Sequence, residues 1–443
     1  MTSAPVHDDP ATMPLSVAMQ RPQWRDTFTA LRVRNYRLYA IGQAFVNTSQ
    51  WTQRIAVDWL VLELTGSVAL VGLTIALQFL PTLLLSAWAG VIADRLPKRA
   101  VLGGAQASIA VLNAVLALLA ITGTAQLWSV YVLVLATGVL ATFDGPARSA
   151  FVGEMVGPHH LRNAISMNAS IFQLGALVGP AIAGVLIVAI GSGWAIGVNV
   201  IGGLVGVVVV LLMRTDELLP APRRATGKGQ IREAVRYVLR KPTIFWPMLM
   251  LAIVSMFGMS LPAILAGMAD DVYGTGAGGY GLYNSLFAAG ALLGALASTR
   301  RSGLRLRTIV LGAFGYGLLL MAAGVAPFYG VFLALLIAMG LSRLLYGTAT
   351  ETIIQLSSNM AIRGRIMSFW VMVLVGGQAI GGPLMGWIAE HWGPATALVI
   401  SGAIVATAAA AIAVVLARQG RLSVKVQPRG RGRWIQIVPK KGA

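Results

Sequence analysis

The segment Gly90-Val91-Ile92-Ala93-Asp94-Arg95-Leu96-Pro97-Lys98-Arg99 puts four charges into six residues, between two blocks, 68–93 and 101–122, that contain none. Each block exceeds the roughly 20 apolar residues with which a helix crosses a ~30 Å hydrocarbon core. Charges and proline between two such blocks read as a tight turn at a membrane surface, joining two spanning helices. The pattern repeats outward in both directions, giving apolar stretches at 38–64, 68–93, 101–122, 127–147, 164–190, 194–213, 244–268, 280–299, 308–326, 328–350, 366–390 and 393–417. Whole-chain composition agrees: of 443 residues, 57% are hydrophobic and 11% charged, and the mean hydropathy is +0.75. A soluble domain carries about a quarter charged residues, so the bilayer is the solvent here. The fold expected is an all-α membrane protein of twelve transmembrane helices.

Orientation follows from the 34 lysines and arginines, against 15 acids. All but Arg54 and Arg343 fall in the N-terminal arm, the 2–3, 4–5, 6–7, 8–9 and 10–11 connections, and the tail; the intervening connections carry none. The positive-inside rule then puts both termini and the central connection in the cytoplasm of a plasma membrane. The net charge of +19 points to anionic lipid headgroups as partners, each surface Lys or Arg contributing ~1 kcal/mol, rather than to nucleic acid. No cleavable leader is expected at 1–35, where Asp8, Asp9, prolines and arginines replace an apolar stretch.

The division expected is a cytoplasmic arm (1–37), a six-helix half (38–213), a polar, basic linker (214–243), a second six-helix half (244–417) and a basic tail (418–443). An internal repeat supports it. Arg162 precedes Gly179-Pro180 as Arg365 precedes Gly382-Pro383, at an offset of 203 residues. Two pseudo-symmetric bundles with substrate held between them are the arrangement of a rocking transporter.

Several motifs carry a family resemblance. Gly90 to Arg99 resembles the signature loop of the major facilitator superfamily, with Pro97 where glycine is most frequent. Phe143-Asp144-Gly145-Pro146-Ala147-Arg148, Glu154, Leu161-Arg162-Asn163-Ala164 leading to Gly179-Pro180, and Arg363-Gly364-Arg365 before Gly382-Pro383 are similar to the enterobactin-exporter and macrolide-efflux branch. The resemblance covers about residues 30–415. It implies the major facilitator fold, export, and a gating role for Gly90, Asp94, Arg95, Lys98 and Arg99. In that role Asp94 faces the N-terminus of span 11, whose partial positive charge favours a carboxylate, with Arg148 as second partner.

Charge inside a membrane is expensive and defaults to function. Arg54 and Asp58 lie one turn apart on span 1 and are expected to pair. Asp58 is the candidate proton carrier; a permanent structural ion pair is the alternative. Asp144 with Arg148, and Arg343 with Glu351, lie nearer the cytoplasmic side and are expected to latch a gate. Glu63 and Glu390, at the external rims, are expected to be solvated. Gln43, Asn47, Gln50, Trp51, Gln53, Gln173, Asn284 and Gln378 are candidates to line a substrate cavity, and each could instead satisfy a neighbouring helix. Gly175, Gly179, Pro180, Gly382, Pro383 and Gly386 have the small-residue spacing of close helix packing, with a proline kink in each group.

Enzymatic motifs fail on context. Gly274-x-Gly276-x-x-Gly279 lacks the preceding strand of a dinucleotide site. His159-His160 lack a third ligand, and cysteine is absent. With no nucleotide, metal or cofactor site in view, the function expected is export of amphipathic or hydrophobic small molecules by a monomer, through proton antiport. A narrow siderophore or metabolite exporter, a lysophospholipid flippase, an importer and a non-transporting receptor are the alternatives.

Overall fold

The computed structural model describes residues 24–219, 230–298, 306–359, 362–419, 422–426 and 435–439. Its helices are α1 (Arg34–Thr65), α2 (Val68–Arg95), α3 (Lys98–Ile121), α4 (Leu127–Gly157), α5 (His159–Ile190) and α6 (Ser192–Leu212), then a linker helix α7 (Gln230–Arg240). The second half follows as α8 (Pro242–Val272), α9 (Gly276–Ser298), α10 (Leu306–Gly324), α11 (Tyr329–Ser357), α12 (Arg363–Trp392) and α13 (Pro394–Gln419).

Eleven of these helices are long and apolar enough to cross a membrane. The twelfth is α1, and its polarity has a packing cause. It runs for 32 residues, about 48 Å at 1.5 Å per residue, wedged against α5 and α6. Asn35, Gln43, Asn47, Ser49, Thr52 and Asp58 are therefore buried against protein rather than lipid. Large apolar side chains such as Val111, Leu118, Val132, Val185 and Leu311 are exposed on the outer faces of other helices, as a lipid-facing surface requires.

Two expected boundaries shift. The 4–5 connection is helical almost throughout: α4 and α5 form one path bent at Gly157, whose φ of 66° favours glycine. Arg148 thus sits inside α4 rather than in a connection. The reason is apolar: Phe151, Val152, Met155 and Val156 are buried with Tyr36, Ala164 and Val210. Span 7 is also interrupted, by π-helical turns at Val254–Gly258 and Met268–Val272, irregularities that concentrate at functional sites. One short strand pair, β1 (Leu422–Val426) and β2 (Ile435–Pro439), runs antiparallel in the tail, an addition to the all-helical expectation. Its signal was present in the alternation of Leu422-Ser423-Val424-Lys425-Val426.

The halves meet chiefly through two helix pairs, α2 with α12 and α5 with α9. Both pairs pack tightly on the face opposite the termini, called distal here. A Cβ on Gly72 would strike the Gly382 carbonyl, one on Gly386 would lie 2.8 Å from the Val68 carbonyl oxygen, and one on Gly281 would lie 2.8 Å from Gly184 Cα. Nearer the termini, Leu84 and Trp88 of α2 and Val371 of α12 are exposed. The molecule is closed on its distal face.

Candidate functional site

Asp58 projects from the distal half of α1 and is buried. Its Oδ1 accepts from Gln78 Nε2 of α2 at 3.3 Å, and its Oδ2 accepts from the Tyr280 hydroxyl of α9 at 3.1 Å. Tyr280 belongs to the other half and stacks on Trp59 with ring centroids 6.0 Å apart. The carboxylate therefore joins the halves, a role that α1 alone could not reveal.

The expected ion pair with Arg54 is not formed: among the described residues no basic nitrogen lies within 4.0 Å of Asp58. The Arg54 guanidinium instead lies over the rings of Trp51 and Phe79, 5.0 and 5.2 Å from their centroids, where cation–π attraction replaces a counter-ion. Trp51 in turn meets Phe172 of α5, edge-on at 5.7 Å.

Of the other cavity candidates, Gln43 and Asn47 are buried, and Gln43 Nε2 donates to Asn47 Oδ1 at 2.8 Å. Gln43 also accepts from Arg148, tying it into the first half. Asn284 donates to the Tyr280 carbonyl at 2.9 Å, and Gln378 to the Leu374 carbonyl of its own helix at 3.3 Å. Gln50, Gln53, Trp51 and Gln173 are half-buried.

The gating residues divide. Asp144 accepts twice from Arg148, at 2.6 and 2.8 Å, and once from Gln106 Nε2 at 3.1 Å. That network lies wholly within the first half. Lys98 pairs with Glu154, and Arg99 donates to the Val210 and Leu211 carbonyls, each at 2.9 Å, capping the end of α6. The basic pair of the signature loop thus fastens helices of one bundle together. For Gly90, Asp94 and Arg95 the structure describes helical backbone at the end of α2; their side chains lie outside the described residues. Arg343 lies over Phe287 at 5.6 Å, its Nε buried with no hydrogen-bond partner among the described residues. Glu351 accepts from Gln355 at 3.0 Å rather than from Arg343.

The packing residues occupy contacts. Gly175 and Gly179 let α5 approach Asn47, Trp51 and Thr52 of α1, and the Thr52 hydroxyl donates to the Gly179 carbonyl at 3.0 Å. Pro180 faces Gly281 of α9, while Gly382, Pro383 and Gly386 face α2.

Sequence reasoning missed Gln78, Gln106, Tyr280 and Glu390. Glu390 is not simply solvated: its Oε2 accepts from the Ala69 backbone N–H at 2.8 Å and from the Ser67 hydroxyl, at the start of α2. An acid in the last turn of a helix opposes that helix's dipole, and this signal was legible beforehand.

The family described as transmembrane secretion effector, one of the major-facilitator families, matches residues 25–429. The chain is 26% identical over 397 residues to an enterobactin exporter of Citrobacter koseri, covering 88% of this chain and 90% of that one. Among solved structures it is similar to a bacterial homologue of the human lysosomal transporter Spinster, in an inward-facing, unoccupied conformation. That match has a TM-score of 0.69 at 17% identity over 86% of this chain and 97% of the other. A D-xylose–proton symporter gives 0.66 at 14% identity over 84% and 97%.

Proposed function

Because the chain belongs to the transmembrane secretion effector family, and so is a major-facilitator transporter rather than an enzyme, we propose that it exports amphipathic or hydrophobic small molecules across the plasma membrane. Export uses alternating access of the two halves and is driven by proton antiport. The observation that supports this reading is Asp58: a buried carboxylate on α1, with no basic nitrogen within 4.0 Å among the described residues, hydrogen-bonded to both halves. A group so placed can couple its protonation to the relative position of the bundles.

In this reading the basic connections and both termini face the cytoplasm, so the distal face is external and the conformation is inward-facing. The protein works as a monomer, its basic rim against anionic headgroups. The domain division expected from sequence, with its linker at 214–243, separates the moving bodies. Half-buried Gln50, Gln53, Trp51 and Gln173 contact the substrate, and Arg54 tunes Asp58 from one turn away. Asp94, with Gly90 and Arg95 around it, gates the cytoplasmic side against α12. Lys98, Arg99 and the Asp144–Arg148 pair hold the first bundle rigid while it moves. Arg343 and Glu351 serve the second bundle near its cytoplasmic end.

The test is accumulation of a labelled compound panel in cells with and without the protein, repeated with a protonophore. The expected result is lower accumulation of amphipathic compounds in cells carrying the protein, abolished by the protonophore. Equal accumulation across the panel would refute the reading.

A further inference from the structure

The helix pair α2 and α12 runs antiparallel between the halves, and each member has a carboxylate in its C-terminal turn: Asp94 in Val68–Arg95 and Glu390 in Arg363–Trp392. Each acid stands at the end of its own helix where the dipole disfavours negative charge. At the distal end the structure supplies the compensation. Ser67 precedes α2, and its Oγ accepts from the Leu70 N–H at 3.2 Å while donating to Glu390 Oε2; the same Oε2 accepts from the Ala69 N–H at 2.8 Å. Ser67 is thus the N-cap of α2, and the carboxylate adds a second acceptor for the otherwise unpaired first N–H groups of the helix. Here the glutamate comes from the other half of the molecule.

We propose that Glu390 is the latch of the distal gate: it caps α2 across the boundary between the halves when that face is closed, and releases it when the face opens. The inference rests on the alternating-access reading. Gly72, Gly382 and Gly386 bring the helices close enough for the cap to form. When the bundles part, the first turn of α2 loses its acceptor and Glu390 is left at its own helix end, with Asp271 of α8 a like charge nearby. The latch thus favours the closed face in two ways. Glu63, on the same face, accepts from Ser192 of its own half at 2.8 Å and has no such role.

The chain has no cysteine, so spin-label pairs can be introduced directly. Thr124→Cys with Phe328→Cys reports the distal face, and Ser149→Cys with Leu356→Cys the opposite face. In lipid nanodiscs, Glu390→Ala is expected to lengthen the distal distance and shorten the other. A cap of ordinary strength corresponds to a change of roughly 5-fold in the ratio of the two populations. Ala69→Pro, which removes the N–H donor in the first turn where no intrahelical bond is lost, should give the same shift, and the double variant no further one. Glu63→Ala should leave both distributions unchanged. Unaltered distances in both Glu390→Ala and Ala69→Pro, or an equal shift in Glu63→Ala, would overturn the latch. These distances require no substrate, so failure of the export reading in the accumulation assay is distinguished from failure of the latch.

Discussion

The Tyr280 hydroxyl donates to Asp58 Oδ2 at 3.1 Å, from one half of the molecule to the other. A hydrogen bond to an ionised acceptor contributes about 1.5–3 kcal/mol, enough to bias an equilibrium between two arrangements of packed bundles. Tyr280→Phe keeps the ring stacked on Trp59 and removes only the donor. The expected outcome is a normally inserted protein whose distal face is open in a larger fraction of molecules, read as a longer distance between spin labels at Thr124→Cys and Phe328→Cys. An unchanged distance would assign Tyr280 to packing alone.

Asp58→Asn is expected to separate coupling from transport. The amide oxygen can still accept from the Tyr280 hydroxyl while its NH2 donates to a flipped Gln78 amide, so closure persists, but no proton is exchanged. Uptake into inverted vesicles should lose its dependence on an imposed pH gradient, while exchange of substrate down its own gradient continues. Undiminished pH-driven uptake would move the coupling site to Glu351 or Asp144.

Asp94→Asn preserves shape and removes charge from the end of α2. Strongly reduced transport at equal expression is expected, with the population shifted toward closure of the distal face. Wild-type transport would reduce the residue to a solvated turn.

Gly72→Val tests the distal contact sterically. A Cβ there strikes the Gly382 carbonyl, backbone that cannot rotate away, so distal closure should fail. Transport at background level, in a protein that still inserts, is the expected result; retained transport would show that α2 and α12 need not meet so closely.

The charge partition predicts topology directly. Reporters fused after Lys228 and after Gln419 should both register cytoplasm, and one placed in 274–279 the outside. Either of the first two appearing outside would invert the assignment.

What the sequence determined by itself was what depends on solvent and on the hydropathy of each segment. Twelve spans follow because an apolar stretch of about 20 residues has the length of a bilayer-crossing helix, and the division into two halves is expected from a repeat visible as Arg162 and Gly179-Pro180 against Arg365 and Gly382-Pro383. The signature loop from Gly90 to Arg99 was enough to identify the superfamily. Pairing within one helix was less secure: Arg54 and Asp58 have the right spacing, yet the rings of Trp51 and Phe79 hold one and Gln78 with Tyr280 the other. Only the tertiary structure decided such partners, because Tyr280 lies 222 positions from Asp58 and Ala69 lies 321 from Glu390. Contacts between the halves depend on how two rigid bundles meet, and a span's own periodicity records which of its faces is apolar, not which residue of another bundle will stand opposite.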